Sequence, residues 1–511
     1  MFMMHKKENE LFLLIRSLNK SQKLGLSRKW SRPPYSDYIY VQIYFQLLAS
    51  NRYVATELVE SIPLLKPHQL RNVQNELYNK ILEYLRLQQA PSPFEEYRIL
   101  LKNYSVLKGL NLIEQADKWK DKALVFKAKN VIINDAVLVD EETYYYETMS
   151  SPDLVSQLKF SNEVSPFTQK LMREYLKLRE FYLRHRFSKN KREYHRLESS
   201  VKLVVRNLEY DELSLYDKIV YNRMLYHYHY IQRDFVLGYK YASTLVLLYE
   251  NNGLNKYYKE VYLKLLNYQM LCIFRLNASE RYDVLLEKFK DLRFKPSLPD
   301  INLLRESHFK YGLTHSLNLF VIKGKFAKGI ELFKEAKPSF NLLNAKHNSG
   351  YVNSIYYKVA CLHFGNEEFK ECIVYLDKLI YNMDRSGRPD LQIFARILKL
   401  TSLFELQETE YIFENIRSVY SYIARNKQLN MFQIEIMNFL RVCARLPTTS
   451  IRNEMIQFRE ALQHVALNKF EQRPFFYFDV ISWLDSKLNN KSISEVIGER
   501  GLGHRILYEN K

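Results

Sequence analysis

The stretch from Ser316 to Ala336, SLNLFVIKGKFAKGIELFKEA, is the sequence feature that most constrains how this chain can fold. An apolar helix ends at the tight turn Lys323-Gly324-Lys325, and Phe326 opens a second helix. Gly329 follows three residues later. An aromatic ring in the bend and a glycine that lets two backbones approach are typical of closely packed helices. The stretch therefore predicts a pair of antiparallel helices.

The same arrangement returns along the second half of the chain. The aromatics that open the second helix of a pair recur at spacings of 47, 44, 43 and 42 residues, at Phe235, Tyr282, Phe326, Phe369 and Tyr411. The residues three positions later are Gly238, Leu285, Gly329, Cys372 and Glu414, of which three are small. One pair cannot bury its apolar face alone, so a fixed period indicates stacked pairs. The predicted fold class is all-α, an α-solenoid of antiparallel helix pairs with a period of about 42–47 residues.

These helix pairs resemble tetratricopeptide repeats. Three further stretches, ELFLLIRSLNKSQK near the start, NVQNELYNKILEYLR at 72–86 and FYFDVISWLDSKLNNKSISEVI near the end, are similar to sequences in a set of uncharacterised bacterial helical-repeat proteins of similar length. That set has no known activity to carry over, so the resemblance implies the fold alone. The period exceeds the roughly 34 residues of a standard tetratricopeptide unit, which predicts longer helices or extended links at 295–300 and 384–390.

The breaks between helical patterns along the chain predict four regions. Residues 1–150 form an N-terminal helical region, 151–210 a basic helical connector, 211–445 the repeats, and 446–511 C-terminal capping helices. Only 13 Gly and 14 Pro interrupt the 511 residues, which favours long helices. No apolar run approaches the roughly 18 residues of a membrane span, and no secretory signal is evident, so we expect a cytoplasmic protein. Four cysteines without metal-like spacing fit reduced, packed thiols.

The sequence lacks the short motifs of the common catalytic and cofactor-binding sites. It contains no phosphate-binding glycine loop, no Gly-x-Ser-x-Gly turn and no His-Glu-x-x-His helix. His308 and His315, seven residues apart, could share a helix face, but two ligands alone do not make a strong metal site. We therefore predict a non-enzymatic protein with no catalytic residue, cofactor or metal, in which these histidines are packed or exposed helix residues.

The leading functional prediction is a protein-protein interaction scaffold that binds a peptide or a partner helix on the concave face of the array. The resemblance implies that this face is lined by first-helix residues that avoid the packing positions. Counting back from the aromatics gives Val220, Val321, Ser354, Cys361 and Phe364, together with the predicted partner-binding residues Arg223, His227, Tyr230, Tyr311, Thr314, Asn318 and Tyr357. Mixed aromatic and polar residues suit an extended peptide.

Two basic clusters, at 16–32 and 184–196, support an alternative function. The net charge is +19, and these clusters hold much of the local excess. Trp30 in the first could stack on a base beside phosphate contacts. The candidate phosphate contacts are Arg28, Lys29, Arg186, Lys189, Lys191 and Arg192. The alternative is a nucleic-acid-associated or regulatory protein, although solvated helix ends and connections explain the same clusters.

Overall fold

The structure, a computed structural model, describes residues 9–88, 93–109, 112–129, 166–206, 208–294, 301–344, 349–381, 389–425, 430–447 and 450–499. Over these ranges the regular elements are helices and no strand occurs, which confirms the all-α class. The chain divides into two compact units, Met1–Ile132 with Arg293–Arg305, and Ile133–Leu292 with Glu306–Lys511. The predicted boundary at 150, the link at 295–300 and most of the link at 384–390 lie outside the described residues.

The first unit contains seven helices in its described part. They are α1 (Glu10–Ser17), α2 (Lys20–Trp30), α3 (Ile39–Ala49), α4 (Ala55–Ser61), α5 (Leu70–Leu87), α6 (Pro93–Gly109) and α7 (Ile113–Lys129). The amide of Asn19 caps α2 in a reciprocal capping box with Gln22, so the helix starts where the sequence offers this pair. Trp30 is buried edge-on against the rings of Tyr40 and Tyr44, which joins α2 to α3.

The second unit carries the predicted repeats. Its helices are α8 (Pro166–His185), α9 (Lys191–Val205), α10 (Leu215–Ile231), α11 (Phe235–Asn251), α12 (Leu254–Tyr257), α13 (Lys259–Leu276), α14 (Ser279–Lys290), α15 (Ile301–Ile322, which belongs to this unit from Glu306 onward), α16 (Phe326–Asn344), α17 (Ser349–Gly365), α18 (Phe369–Ile380), α19 (Pro389–Glu405), α20 (Thr409–Arg425), α21 (Met431–Cys443), α22 (Ile451–Leu467), α23 (Val480–Asn489) and α24 (Ile493–Glu499). Successive helices contact each other, as from α16 through α20, and the first helices α17 and α19 also touch. This packing fits a helical array.

Five helix pairs are joined by the same turn. In each, one residue adopts the left-handed conformation, and the next residue donates its backbone N–H to the carbonyl five residues back at 2.9–3.3 Å. This is the bond of a Schellman motif, which satisfies a carbonyl at the end of the first helix. The left-handed residues are Arg233, Asn277, Gly324, Glu367 and Gln407. The second helices begin two residues later, at Phe235, Ser279, Phe326, Phe369 and Thr409.

These starts correct two of the predicted registers. Tyr282 stands three residues inside its helix, and Tyr411 is 58% exposed while its neighbour Ile412 is fully buried. The starts are spaced by 44, 47, 43 and 40 residues, so the predicted period of about 42–47 becomes 40–47. Leu285 and Glu414 are consequently not equivalent to the small residues of the other pairs.

The side-chain sizes at two positions of each second helix, its first residue and the residue three positions later, are complementary. Phe235, Phe326 and Phe369 are followed three residues later by Gly238, Gly329 and Cys372, whereas Ser279 and Thr409 are followed by Tyr282 and Ile412. Where the first residue of the second helix is large, the residue three positions later is small. Where the first residue is small, the residue three positions later is large. This complementarity keeps the space between neighbouring helices filled in both arrangements.

Gly329 lies where three helices meet. A Cβ atom there would come within 3.1 Å of Phe320 Cβ on α15 and 2.7 Å of Leu362 Cδ2 on α17. The glycine thus contacts its own pair and also the next one, and Leu362 is fully buried. Gly238 is similar, since its Cβ would lie 3.1 Å from Cys272 Sγ on α13. The close approach predicted from the sequence is confirmed at both positions.

Gly329→Leu should lower the free energy of unfolding by about 1–3 kcal/mol, because the added atoms have no space between α15 and α17. Gly312→Ala is the control, since a Cβ there would make only an ordinary 3.7 Å contact with Phe289. The better helix propensity of alanine should stabilise that variant by up to about 1 kcal/mol. Chemical denaturation measures both, and a Gly329→Leu protein at least as stable as wild type would mean that the glycine contact is wrong.

Candidate functional site

A segment of the same chain covers several of the first helices. We call residues 468–479, between α22 and α23, the C-terminal segment; it contains a 3-10 turn at Arg473–Phe476. Arg275 Nη1 donates to the carbonyl of Phe476 at 3.0 Å, and the Tyr357 hydroxyl donates to the carbonyl of Tyr477 at 3.3 Å. Side chains of the first helices α13 and α17 therefore hold backbone carbonyls of the C-terminal segment.

Arg233 ties the first repeat turn to the same segment. Its guanidinium donates to the carbonyl of Ser188 at 2.8 Å and to the carbonyl of Lys469. Burial lowers the pKa of Arg233 to about 10, which still leaves the group charged at neutral pH. One left-handed residue thus closes its own turn and also anchors the C-terminal segment.

Aromatic rings of the C-terminal segment enter spaces between the helices. Phe476 packs edge-on against Phe235 at 5.6 Å between ring centroids, and Phe478 packs edge-on against Phe364 at 5.2 Å. Tyr477 stacks on Phe394 of α19 at 4.3 Å. Such pairs contribute about 0.5–1.5 kcal/mol each beyond the burial of their area. These three consecutive rings therefore attach the segment to α11, α19 and α17.

Asp390 binds the polar groups of Tyr477 and Arg473 in the C-terminal segment. The carboxylate is buried in the first turn of α19, where the helix dipole favours a negative charge. It accepts a hydrogen bond from the Tyr477 hydroxyl and lies 3.2 Å from a guanidinium nitrogen of Arg473. The C-terminal segment is thereby held by an ion pair largely removed from water.

A cavity of about 590 Å³ remains between the C-terminal segment and the helices. Of the predicted partner-binding residues, Tyr230, Thr314, Asn318 and Tyr357 line it, and so do the counted positions Val321, Ser354, Cys361 and Phe364. Arg186, predicted as a phosphate contact, lines it too. The structure therefore brings residues from both functional hypotheses to one cavity.

Three predicted partner-binding residues do not line this cavity. Arg223 and His227 of α10 are buried: the Arg223 guanidinium donates to the Tyr249 hydroxyl at 3.3 Å, and His227 Nδ1 lies 2.9 Å from the Arg223 carbonyl. Tyr311 is half-buried, with its ring edge-on to Phe289 at 6.4 Å. We withdraw the first two from the proposed surface, because the residues at their positions pack between helices.

The remaining basic residues lie outside the cavity. Arg28 and Lys29 are exposed in α2 of the first unit, but Trp30, the ring predicted to stack on a base, is 2% exposed and packed in the core. The three other candidate phosphate contacts of the second cluster, Lys189, Lys191 and Arg192, are exposed around the start of α9. The amide groups at this helix end already have acceptors in Asn190 and Glu193.

Arg186 stands apart from the rest of its cluster. It follows the last residue of α8 in the left-handed conformation, with φ of 65°, and its guanidinium lies 4.6 Å from the centre of the Tyr182 ring. Its Nε is buried and has no hydrogen-bond acceptor among the described residues. A buried donor of this kind costs about 1–3 kcal/mol. The turn after α8 therefore presents a cation, rather than an apolar residue, to the cavity.

A directed chain of hydrogen bonds leads from the cavity into the core. Lys358 Nζ donates to Asn318 Oδ1, and Asn318 Nδ2 lies 3.3 Å from the Tyr282 hydroxyl. That hydroxyl contacts His315 Nδ1, while His315 Nε2 lies 2.8 Å from Asn267 Oδ1. Since the Asn267 oxygen only accepts, Nε2 carries the proton and Nδ1 accepts from Tyr282. This explains why a tyrosine occupies a position that is filled by Gly238, Gly329 and Cys372 in three of the other pairs.

The Cys361 thiol and the Tyr357 hydroxyl of the site are neutral near neutral pH. Burial raises the pKa of the Cys361 thiol to about 12 and raises the pKa of Tyr357 well above its usual value. The described part of the chain contains no group of three or more His, Cys, Asp or Glu side chains placed to hold a metal ion. Within the same ranges, none of the helices combines the length and the apolar character needed to cross a bilayer.

The sequence matches no protein-family model, and comparisons with curated proteins and with solved structures give no match either.

His315 should make stability depend on pH. Its burial lowers the pKa to about 3 from an ordinary value of 6.5, so between these values the unfolded chain binds a proton that the folded chain does not. The free energy of unfolding should therefore fall as pH drops from about 6.5, by up to about 1.4 kcal/mol per pH unit from this residue. Denaturation of wild type and of His315→Gln at several pH values measures the difference in slope; parallel curves would contradict the assignment.

Asp390→Asn should loosen the C-terminal segment, because removing one partner of a buried ion pair costs about 3 kcal/mol. Hydrogen exchange of peptides that cover residues 470–479 should become about a hundredfold faster, since 1.4 kcal/mol corresponds to a factor of about ten. Glu499→Gln is the control, because its ion pair with Lys491 is exposed and should have no measurable effect. Unchanged exchange in Asp390→Asn would show that the segment is held elsewhere.

Proposed function

We propose that this protein is a non-enzymatic interaction scaffold and that its helical array, of the tetratricopeptide type, binds a peptide or helix of a partner protein at the inner-face cavity. The single observation that carries the proposal is the convergence of Tyr230, Thr314, Asn318 and Tyr357 on one cavity. These residues come from α10, α15 and α17, and were selected from the sequence for this role.

The way the C-terminal segment is held supports a peptide as the ligand. Arg275 and Tyr357 donate to its carbonyl oxygens, and aromatic rings between helices receive its side chains. Hydrogen bonds to backbone supply affinity that does not depend on sequence, and pockets for side chains supply selectivity. The inner face thus already makes both kinds of contact with a segment of its own chain. We extend this chemistry to a segment of a partner, in the cytoplasmic setting predicted above.

The cavity has the size and composition for such a ligand. Its volume of about 590 Å³ lies within the roughly 300–1,000 Å³ of sites that bury most of a small ligand. Its walls combine rings such as Phe274 and Phe326 with polar side chains such as Asn318 and Ser354. Aromatic anchors with a few polar groups are the composition of binding hot spots.

Ser354→Trp should abolish partner binding, because Ser354 lines the cavity and the indole would fill it. Leu342→Trp is the matched control, since Leu342 is 68% exposed on α16. In pull-downs from native lysate, wild type and Leu342→Trp should recover a protein near equimolar amount that Ser354→Trp loses. Equal recovery by all three proteins, or no near-equimolar protein with wild type, would count against the proposal.

The same pull-down tests the alternative of a nucleic-acid-associated protein. Recovered material that is rich in nucleic acid would favour this alternative. The binding affinity should then fall steeply with salt, by about 0.7–0.9 log units per log unit of salt concentration for each phosphate contact. Replacing Lys189, Lys191 and Arg192 by glutamine should then reduce recovery, whereas Ser354→Trp should not.

A further inference from the structure

The cavity combines aromatic walls with one distinctive cation. Arg186, Tyr182 and Phe187 approach it from the end of α8, Tyr230 from α10, and Phe476 from the C-terminal segment. The rings form a continuous group, with Phe187 stacked on Tyr230 at 5.8 Å and 5.8 Å from Phe476. This wall offers flat apolar surface beside a guanidinium.

Three of the other four described cations that line the cavity donate to oxygen acceptors. Lys323 pairs with Asp283, Lys358 donates to Asn318, and Arg275 donates through Nη1 to the carbonyl of Phe476, although its buried Nε has no acceptor in the described part of the chain. The fourth, Lys325, is exposed. Arg186 contacts the Tyr182 ring, and its buried Nε also lacks an acceptor within the described residues. Buried donors are nearly always satisfied, so this one calls for an acceptor. Nε and one terminal nitrogen of a guanidinium can donate two parallel hydrogen bonds to two oxygens of a carboxylate or phosphate.

We infer that the cavity binds a small molecule that carries an aromatic ring and an anionic group, either a carboxylate or a phosphate. The anion accepts from Nε of Arg186, and the ring lies among the aromatic side chains of the wall. Two aromatic rings with an acidic group fit within 590 Å³. Because the contact is charge-assisted, its loss should weaken binding about tenfold.

The inference goes beyond the proposed function, because a small molecule needs no partner protein. The two are also tested on different material: ligand binding is measured with the purified full chain, and partner capture in lysate. Binding of the small probe without a protein partner would leave this inference standing, and the reverse result would leave only the proposed function.

Fluorescence titration with anilinonaphthalene sulfonate tests the site. The sulfonate stands in for the natural anion, and N-phenylnaphthylamine is the uncharged probe of nearly the same shape. Wild type should bind about one sulfonate probe per chain, at least about tenfold more tightly than the uncharged probe. Arg186→Gln should remove this preference, while Arg192→Gln, an exposed residue of the same basic cluster, should retain it.

Several results would overturn the inference. These are no saturable binding to wild type, equal affinity for the two probes, or an unchanged preference in Arg186→Gln. Displacement of the bound probe by naphthoate or by naphthyl phosphate would identify the anionic group, and displacement by neither would also overturn it. Near-UV circular dichroism checks that each variant is folded.

Ser354→Trp gives a second route if Arg186→Gln does not fold. The new indole fills the cavity from α17 without replacing the guanidinium, so both probes should be lost. Leu342→Trp should bind as wild type does, since the residue is exposed on α16. Retained binding in Ser354→Trp would place the probe elsewhere and refute the site.

Discussion

The close contact of neighbouring helices at the repeat turns is the constraint on which the second unit depends. A left-handed residue, followed by a residue whose N–H donates to the carbonyl five positions back, ends each first helix at the same geometry. The second helix can then approach only if the residues after the turn fill the gap without overfilling it. Two combinations of residues fill this gap: Phe326 with Gly329 in one pair, and Ser279 with Tyr282 in another.

The helix surface beneath the C-terminal segment is too aromatic to remain exposed to water. Rings such as Tyr230, Phe274 and Phe364 would form a large apolar patch if nothing covered them. The C-terminal segment covers much of this surface with Phe476, Tyr477 and Phe478, and its polar atoms find partners there. The same contacts that complete the core therefore shape the cavity, so stability and the candidate site share residues.

Local patterns in the sequence predicted the helices and several contacts, but not the register of every pair. Phe326 and Gly329 were assigned correctly because the large and small residues stand in the expected order. Tyr282 and Tyr411 were misaligned because an aromatic ring was used as the marker, although Ser279 and Thr409 occupy the equivalent place. The backbone turn, and not the side chain, is what repeats. The contact of Tyr357 with Tyr477 spans 120 residues, and no local pattern encodes it.

The placement of Arg186 connects the two functional hypotheses in physical terms. Arg186 is partly buried, and its unsatisfied Nε costs about 1–3 kcal/mol. An apolar side chain of similar volume would pack against Tyr182 without that cost. Stability alone therefore does not explain an arginine at this position. An anionic group bound beside the rings would supply the missing acceptor through a charge-assisted hydrogen bond. Arg186 and the aromatic rings, separate features in the sequence, line this single cavity together.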